Sequence, residues 1–386
     1  MIEEKQILII VDHLDSVIEG GGARTSIFNF LLFFSAHLNL TYLSVEYLNN
    51  FSATHSKPSG LECVRANYPN SFTELIKKLS TFCIRNKESV IYLNSFYSKT
   101  GTFIPLLLVR FLGIFVKTPK MVLAPRGGVS KGALSVKKYR KIIYLKTLLY
   151  LGFFKNVRFH AVTKIEKEDI CRILGESYIS QCFEADNLVN APKRFEFSKK
   201  LSPSGRLRIV FLARLHKIKN LSFLSEALNH VKTNVSLDIY GIIEDQEYFD
   251  RTMALFIEKN KNVKITYIGA PNQEDVPKIL SRYELYVLPT LGENFGHTIY
   301  ESLNAGTPVL VSDRTPWKKT NNLAIQVESL DKPIRWGRCI DKISILKYEN
   351  KLLLKKASAL QAKKWFKNQK FTSDYEALFG TKMNSQ

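Results

Sequence analysis

The sequence has 386 residues, is 45% hydrophobic and 24% charged, and carries a formal net charge of +21. That is a globular chain with room for two domains of ordinary size, without a low-complexity run or a detectable repeat. Its five cysteines (Cys63, Cys83, Cys171, Cys182, Cys339) are odd in number and form no C-x-x-C pair, which argues against a disulfide framework and for a reducing, cytoplasmic setting. The apolar core of MIEEKQILIIVD is too short for a signal sequence and follows acids. Residues 103–116, the longest apolar stretch, are broken by Arg110 and too short to span a bilayer.

The charge is unevenly placed. Between residues 89 and 165 there is no Asp or Glu, against 14 Lys and Arg. Such a basic lobe points to an anionic partner. Tyr139, Tyr144, Tyr150, Phe153 and Phe154 lie within it among Leu and Ile, a mixture that suits an anionic membrane surface better than a base-stacking platform for nucleic acid. A solvated basic face is the plainer alternative.

In chain order, residues 6–11 read as a strand, and the loop after it ends in Gly20-Gly21-Gly22 before an amphipathic helix over 23–37. Glycines there let the backbone approach a phosphate, but the spacing is not G-x-G-x-x-G, so no dinucleotide fingerprint is supported. Strands follow at 40–45, 63–65, 90–94 and 121–124, with helical patterns at 71–86 and 101–112. This alternation argues for a parallel sheet with helices on both faces. Ala124-Pro125-Arg126-Gly127-Gly128 ends a strand and enters the basic helix. A strand at 158–163 precedes a helix over 164–174, and His160 reads as a partly buried, satisfied histidine rather than a base.

Residues 191–206 are polar, basic and punctuated by Pro and Gly, which reads as a linker. The second half opens with a strand at 207–213. Arg214 and Lys219, five apart across the loop to the next helix, can both reach one diphosphate, Arg as a planar fork and Lys as a point charge. A strand at 237–241 leads to the acidic turn Glu244-Asp245-Gln246-Glu247, and a strand at 263–269 precedes a helix at 274–282. Beyond residue 330 the chain is basic and helical, with two helical pieces over 340–366. Trp317 reads as core.

The chain is organised around residues 285–313, LYVLPTLGENFGHTIYESLNAGTPVLVSD. A buried strand, a loop broken by Pro289 and Gly292, a helix capped by Asn294 and stopped at Gly306, and a second strand at 309–311 form one strand–loop–helix–strand unit. Glu293 in the loop and Glu301 two helical turns on can both grip hydroxyls, and the helix N-terminus between them suits phosphate. Glu293-Asn294-Phe295-Gly296 with Glu301 and Ala305-Gly306-Thr307-Pro308-Val309 resembles the signature of family-four glycosyltransferases with the GT-B fold, the glycosyl transferases group 1 type.

That resemblance implies an α/β chain of two Rossmann-like, doubly wound domains facing across a cleft. The expected parts are an acceptor-binding domain over 1–190, a linker over 191–206, a nucleotide-sugar-binding domain over 207–365, and a tail over 366–386 that crosses back to the first domain. The implied reaction moves a sugar from a nucleotide sugar to an acceptor hydroxyl with retention, in bacterial cell-surface polysaccharide synthesis (lipopolysaccharide, O-antigen or capsule). Arg214, Lys219 and Glu293 would be catalytic, the two cations by stabilising the departing diphosphate. Gly21, Gly22, Asn294, Phe295, Gly296, His297 and Glu301 would bind the donor, with Glu301 on the ribose diol. Relatives often have His where this chain has Arg126, which is left with charge stabilisation, acceptor binding or an ordinary surface role. No Asp-Xaa-Asp occurs, Glu184-Ala185-Asp186 being nearest, so metal-free departure without a cofactor is expected. The implied partners are a nucleotide sugar, a saccharide or lipid-linked saccharide acceptor, and the inner face of the cytoplasmic membrane, where the protein would sit peripherally. A sugar-nucleotide epimerase of similar architecture and a basic nucleic-acid-binding protein are the rival readings.

Overall fold

The structure, a computed structural model, describes residues 6–12, 21–35, 38–45, 61, 64–130, 134, 138–192, 205–257 and 261–382. The chain divides into two compact units, residues 1–190 with 370–386, and residues 191–369. Most of the glycine loop before residue 21 and most of the 191–206 linker lie outside the described residues.

In the first unit, strands and helices alternate: β1 (Gln6–Val11), α1 (Gly21–Phe34), β2 (Asn39–Ser44), β3 (Arg65–Asn67), α2 (Phe72–Arg85), β4 (Val90–Leu93), α3 (Ile104–Leu112), β5 (Lys120–Leu123), α4 (Lys138–Tyr150), β6 (Val157–Ala161), α5 (Lys164–Leu174) and β7 (Cys182–Glu184). Every pairing is parallel, in the order β3-β2-β1-β4-β5-β6-β7. The apolar runs explain this. Ile7, Leu8, Ile9, Ile10 and Val11 are all buried, as a strand covered on both faces requires. Helix ends follow local chemistry. Ser71 accepts a hydrogen bond from Glu74 N while the Glu74 carboxylate accepts one from Asn70 N, and Thr163 accepts from Glu166 N.

Two expectations shift here. The helix after β1 begins at Gly21 rather than Ala23. The predicted 101–112 helix opens instead as a five-residue π turn over Lys99–Phe103, with Phe103 N donating to Ser98 O. Pro105 has no N–H to close an ordinary turn there. The predicted tail contains α12 (Phe371–Phe379), whose Tyr375 and Phe379 rings pack on Phe30 of α1 and near Tyr92 of β4. Arg158 of β6 donates to the carbonyls of Ala377 and Leu378, both at 2.9 Å, closing the C-terminus of that helix.

The second unit repeats the plan with β8 (Leu207–Leu212), α6 (Leu221–Leu228), β9 (Val235–Tyr240), α7 (Gln246–Ile257), β10 (Val263–Gly269), α8 (Val276–Ser281), β11 (Leu285–Leu288), α9 (His297–Asn304), β12 (Val309–Ser312), β13 (Ile325–Glu328), α10 (Pro333–Ser344) and α11 (Tyr348–Lys367). The sheet is again all parallel, in the order β10-β9-β8-β11-β12-β13. That order reverses between β8 and β11, and ligands of such sheets bind outside the carboxyl ends of the strands at that reversal. Helix α11 packs on α9. It is clipped down by Lys351 on buried Glu284 (2.9 Å) and by Lys355, which is 2% exposed and donates to Ser281 O (3.0 Å) and Tyr283 O (2.8 Å). Gly241, just past β9, has φ 147°, and a Cβ there would stand 1.8 Å from Ala213 O. Only glycine lets the chain after β8 and the chain after β9 pass this closely.

Candidate functional site

Lys219 and Glu293 meet at the β8–β11 reversal, where the Lys219 ammonium donates to a Glu293 carboxylate oxygen. Both side chains are largely buried, 19% and 12% exposed, so the pair is shielded from water but not closed off. The 3₁₀ turn Lys217–Lys219 delivers the lysine and ends at Asn220 in the left-handed region (φ 55°). Cross-ties hold the two loops in register. Leu291 N donates to Ile218 O (2.8 Å), Thr290 Oγ1 lies 3.1 Å from the same carbonyl, and Ser312 Oγ donates to Thr290 O (2.6 Å). Glu293 N donates to Arg314 O (3.0 Å).

Arg214 stands on the same loop but does not join that pair. Its guanidinium donates to Glu244 (2.5 Å), while Lys217 lies 3.4 Å from Asp245. The acidic turn after β9 therefore neutralises two cations of the β8 loop, a pairing across 30 residues that no local pattern announces. The nearest signal is the pair of adjacent acids three residues after Gly241.

The mouth of α9 corrects one expectation. Asn294 does not cap the helix; Gly296 holds the cap position in the left-handed region (φ 82°), and the helix starts at His297. A Cβ at Gly296 would meet Ile299 Cδ1 at 2.7 Å, so the turn needs glycine both for its backbone angles and for its space. Phe295 is buried, its carbonyl accepting from Trp317 Nε1 (2.7 Å), its ring against His297, Trp317 and Trp365. That aromatic seat fixes the loop carrying Glu293 from below.

Glu301, one turn into α9, has the Gln273 amide 3.5 Å from its carboxylate. Burial raises its pKa to about 7. It is a carboxyl near the titration point of neutral solution. Of the first-unit residues, Gly21 and Gly22 form the start of α1, with Gly22 O accepting from Ser26 Oγ (2.8 Å). Arg126 lies after β5, bonded to Asn94, Asn187 and Tyr92. His160 is fully buried and satisfied on both nitrogens, by Tyr92 and by Ala185 O.

A family model, glycosyl transferases group 1, matches residues 192–327, the stretch that holds Arg214, Lys219, Glu293, Gly296 and Glu301. Over that stretch the chain is similar to the group 1 glycosyltransferases. An uncharacterized glycosyltransferase of the archaeon Methanocaldococcus jannaschii, MJ1607, is 24% identical over 174 residues, covering 42% of this chain and 44% of that protein, so the match spans less than half of the relative. Two solved structures share the fold over nearly the whole length. HepE of Anabaena in complex with UDP-glucose superposes with a TM-score of 0.67 at 12% identity, covering 97% of this chain and 98% of that one. WaaG, a glycosyltransferase involved in lipopolysaccharide biosynthesis, gives 0.60 at 11%, covering 96% and 98%. The chain has the fold of the GT-B glycosyltransferases, two Rossmann-like α/β units.

Proposed function

We propose that the protein is a glycosyltransferase that moves a sugar from a nucleotide sugar to an acceptor hydroxyl, with retention, in the assembly of a bacterial cell-surface polysaccharide. The observation that carries this reading is the Lys219–Glu293 pair at the strand-order reversal of a group 1 segment, with Arg214 on the same loop and Glu301 on the adjoining helix. The two structural relatives support it: one is bound to UDP-glucose and the other is a lipopolysaccharide glycosyltransferase.

In this mechanism the donor diphosphate takes Lys219 from Glu293 and Arg214 from Glu244. The two cations and the N–H groups at the start of α9 then stabilise the charge that grows on the leaving diphosphate. Glu293, released from Lys219, accepts hydrogen bonds from hydroxyls of the transferred sugar, and Glu301 accepts from the ribose diol. A donor phosphate oxygen removes the acceptor proton on the face the diphosphate leaves. An inverted product linkage would overturn that step.

The acceptor is a saccharide, free or lipid-linked, met at the inner face of the cytoplasmic membrane. Supporting this are the acid-free stretch 89–165 and the exposed Phe111, Ile114, Phe115, Ile143 and Tyr150 in or beside α3 and α4. Among the described residues no helix is long and apolar enough to cross a bilayer, so attachment would be peripheral. Sedimentation with anionic liposomes at low salt tests it, and a protein left wholly in the supernatant refutes it.

A thermal-shift screen against UDP, GDP, dTDP and ADP and their sugar conjugates tests the donor. Stabilisation by one nucleotide family, lost in Arg214→Ala, identifies the base, and a further shift from one conjugate, lost in Glu293→Ala, identifies the sugar. No shift from any of them sinks the transferase reading.

A further inference from the structure

The first unit holds a guanidinium that the donor chemistry does not use. Arg126 follows β5 with φ 54°, and Gly127 follows it at 77°. Two successive left-handed residues, the first with a side chain, are strained and persist only where the surroundings impose them. Buried Glu166 imposes them here: its two oxygens accept from Gly127 N (2.6 Å) and Val162 N (2.8 Å), pinning the turn to the start of α5.

The turn aims the partly buried side chain at three neutral oxygens. Nε donates to Asn94 Oδ1 (2.7 Å), Nη1 to Asn187 Oδ1 (2.5 Å) and Nη2 to the Tyr92 hydroxyl (2.8 Å). Because Tyr92 accepts from Arg126, its own proton goes to His160 Nδ1 (2.7 Å), and His160 Nε2–H then donates to Ala185 O (2.7 Å). Burial, with Arg126 nearby, lowers the pKa of His160 to about 3, consistent with that neutral tautomer. Each hydrogen-bond partner of the guanidinium is thus uncharged. Among the described residues no carboxylate oxygen lies within 4.0 Å of it, and only three of its five N–H groups find acceptors.

A structural tie between β4, β5 and the segment after β7 accounts for three of the five N–H groups of Arg126 and leaves two. A partly buried guanidinium whose direct hydrogen-bond partners are all neutral, with two N–H groups left over, suits a further, anionic acceptor. Asn94 places the group beside the carboxyl end of β4, at the reversal of strand order in this sheet. We propose that Arg126 is the fixed centre of an anion site in the first unit, which receives a phosphate or carboxylate group of the acceptor. This rests on the transferase reading and narrows it to an acidic acceptor.

The test is arginine labelling of the wild-type protein with phenylglyoxal, read residue by residue by peptide mass spectrometry. The probes are glycerol phosphate, glucuronate, vesicles of phosphatidylglycerol, and UDP, with glycerol, glucose and phosphatidylcholine vesicles as neutral controls. The expected result is slower labelling of Arg126, by severalfold, with at least one anionic probe and with no neutral control. Protection by glycerol phosphate points to a phosphorylated acceptor, by glucuronate to an acidic sugar, and by the anionic vesicles alone to a lipid headgroup. No protection by any of the three overturns the proposal. So does an Arg126 that never reacts, since it is then closed to ligands, or an Arg126 protected only by UDP, since it then serves the donor. The same digest reads Arg214, whose protection by UDP reports on the transferase reading separately. Arg126→Gln should weaken binding of the protecting probe by about 10-fold or more, and Arg126→Lys by less, with melting curves recorded for both.

Discussion

A ribose diol on Glu301 has a measurable consequence in protons. Burial raises this carboxyl to about 7 from an ordinary value of 4.5, so near pH 7 about half of the ligand-free molecules carry the extra proton. A diol donating two hydrogen bonds favours the ionised form and lowers the pKa in the complex. Nucleotide binding at pH 7 should therefore release up to about 0.5 proton, seen by calorimetry as an apparent enthalpy that varies with the ionisation enthalpy of the buffer. Over the pH range 6 to 8 affinity should rise by as much as about tenfold, because the protonated fraction that must be discharged falls across that window. Glu301→Gln, which cannot ionise, should bind with no such proton release and no such slope. Stability has the opposite sign. A carboxyl whose folded pKa lies above its unfolded value favours the fold below pH 4.5 and loses that contribution as pH rises to 7, so Glu301→Gln should flatten the decline. If the wild type and Glu301→Gln release the same number of protons on binding UDP, Glu301 is not the diol acceptor and the reasoning fails.

Lys219→Met leaves the Glu293 carboxylate without its cation. A loss of about 1–3 kcal/mol of stability and of about 10- to 100-fold in nucleotide affinity is expected. Adding Glu293→Gln should recover the stability but not the affinity, measured by urea denaturation and calorimetry. Gly241→Ala puts a methyl 1.8 Å from Ala213 O at φ 147°, and a fall in melting temperature of roughly 6 °C or more should accompany loss of nucleotide binding. Burial lowers the Lys355 pKa to about 8, below the 10.5 of an exposed lysine. Its charged form therefore burdens the fold at neutral pH, and stability should rise from pH 8 towards 10.5, where the unfolded chain holds more protons. Lys355→Met should lack that rise in denaturation curves at pH 7.5, 9 and 10; equal slopes would contradict the assignment.

The alternation of apolar runs with amphipathic stretches was enough to read the parallel α/β plan, because strands buried on both faces declare themselves as Ile7–Val11 and Leu285–Leu288 do. Two edge strands were not read: Cys182–Phe183–Glu184 of β7 has only three residues, and Ile325–Gln326–Val327–Glu328 of β13 alternates apolar and polar over a run too short to stand out from a loop. The misplaced cap at α9 has a similar cause: Asn294 has the chemistry of a cap, but Gly296 alone tolerates the turn angles that Phe295 and Ile299 impose. Around the site, the cations could be named from local spacing. Their acid partners could not, since Glu244 lies 30 residues from Arg214 and Glu293 lies 74 from Lys219, and such pairs exist only once the sheet order is set. The neutral cage around Arg126 draws on residues 92, 94 and 187, which the chain topology alone brings together.

All three tryptophans fall in the second unit, and two of them, Trp317 and Trp365, sit against Phe295 beneath the loop that carries Glu293. Excited at 295 nm, the protein thus emits from one half only. Emission will follow the unfolding of that unit and any movement of the Phe295 seat during titration with a nucleotide. The other half, rich in tyrosine and free of tryptophan among its residues, is left to absorbance or circular dichroism. Comparing the two signals through a denaturant ramp would reveal, without any label, whether the halves melt together or one at a time.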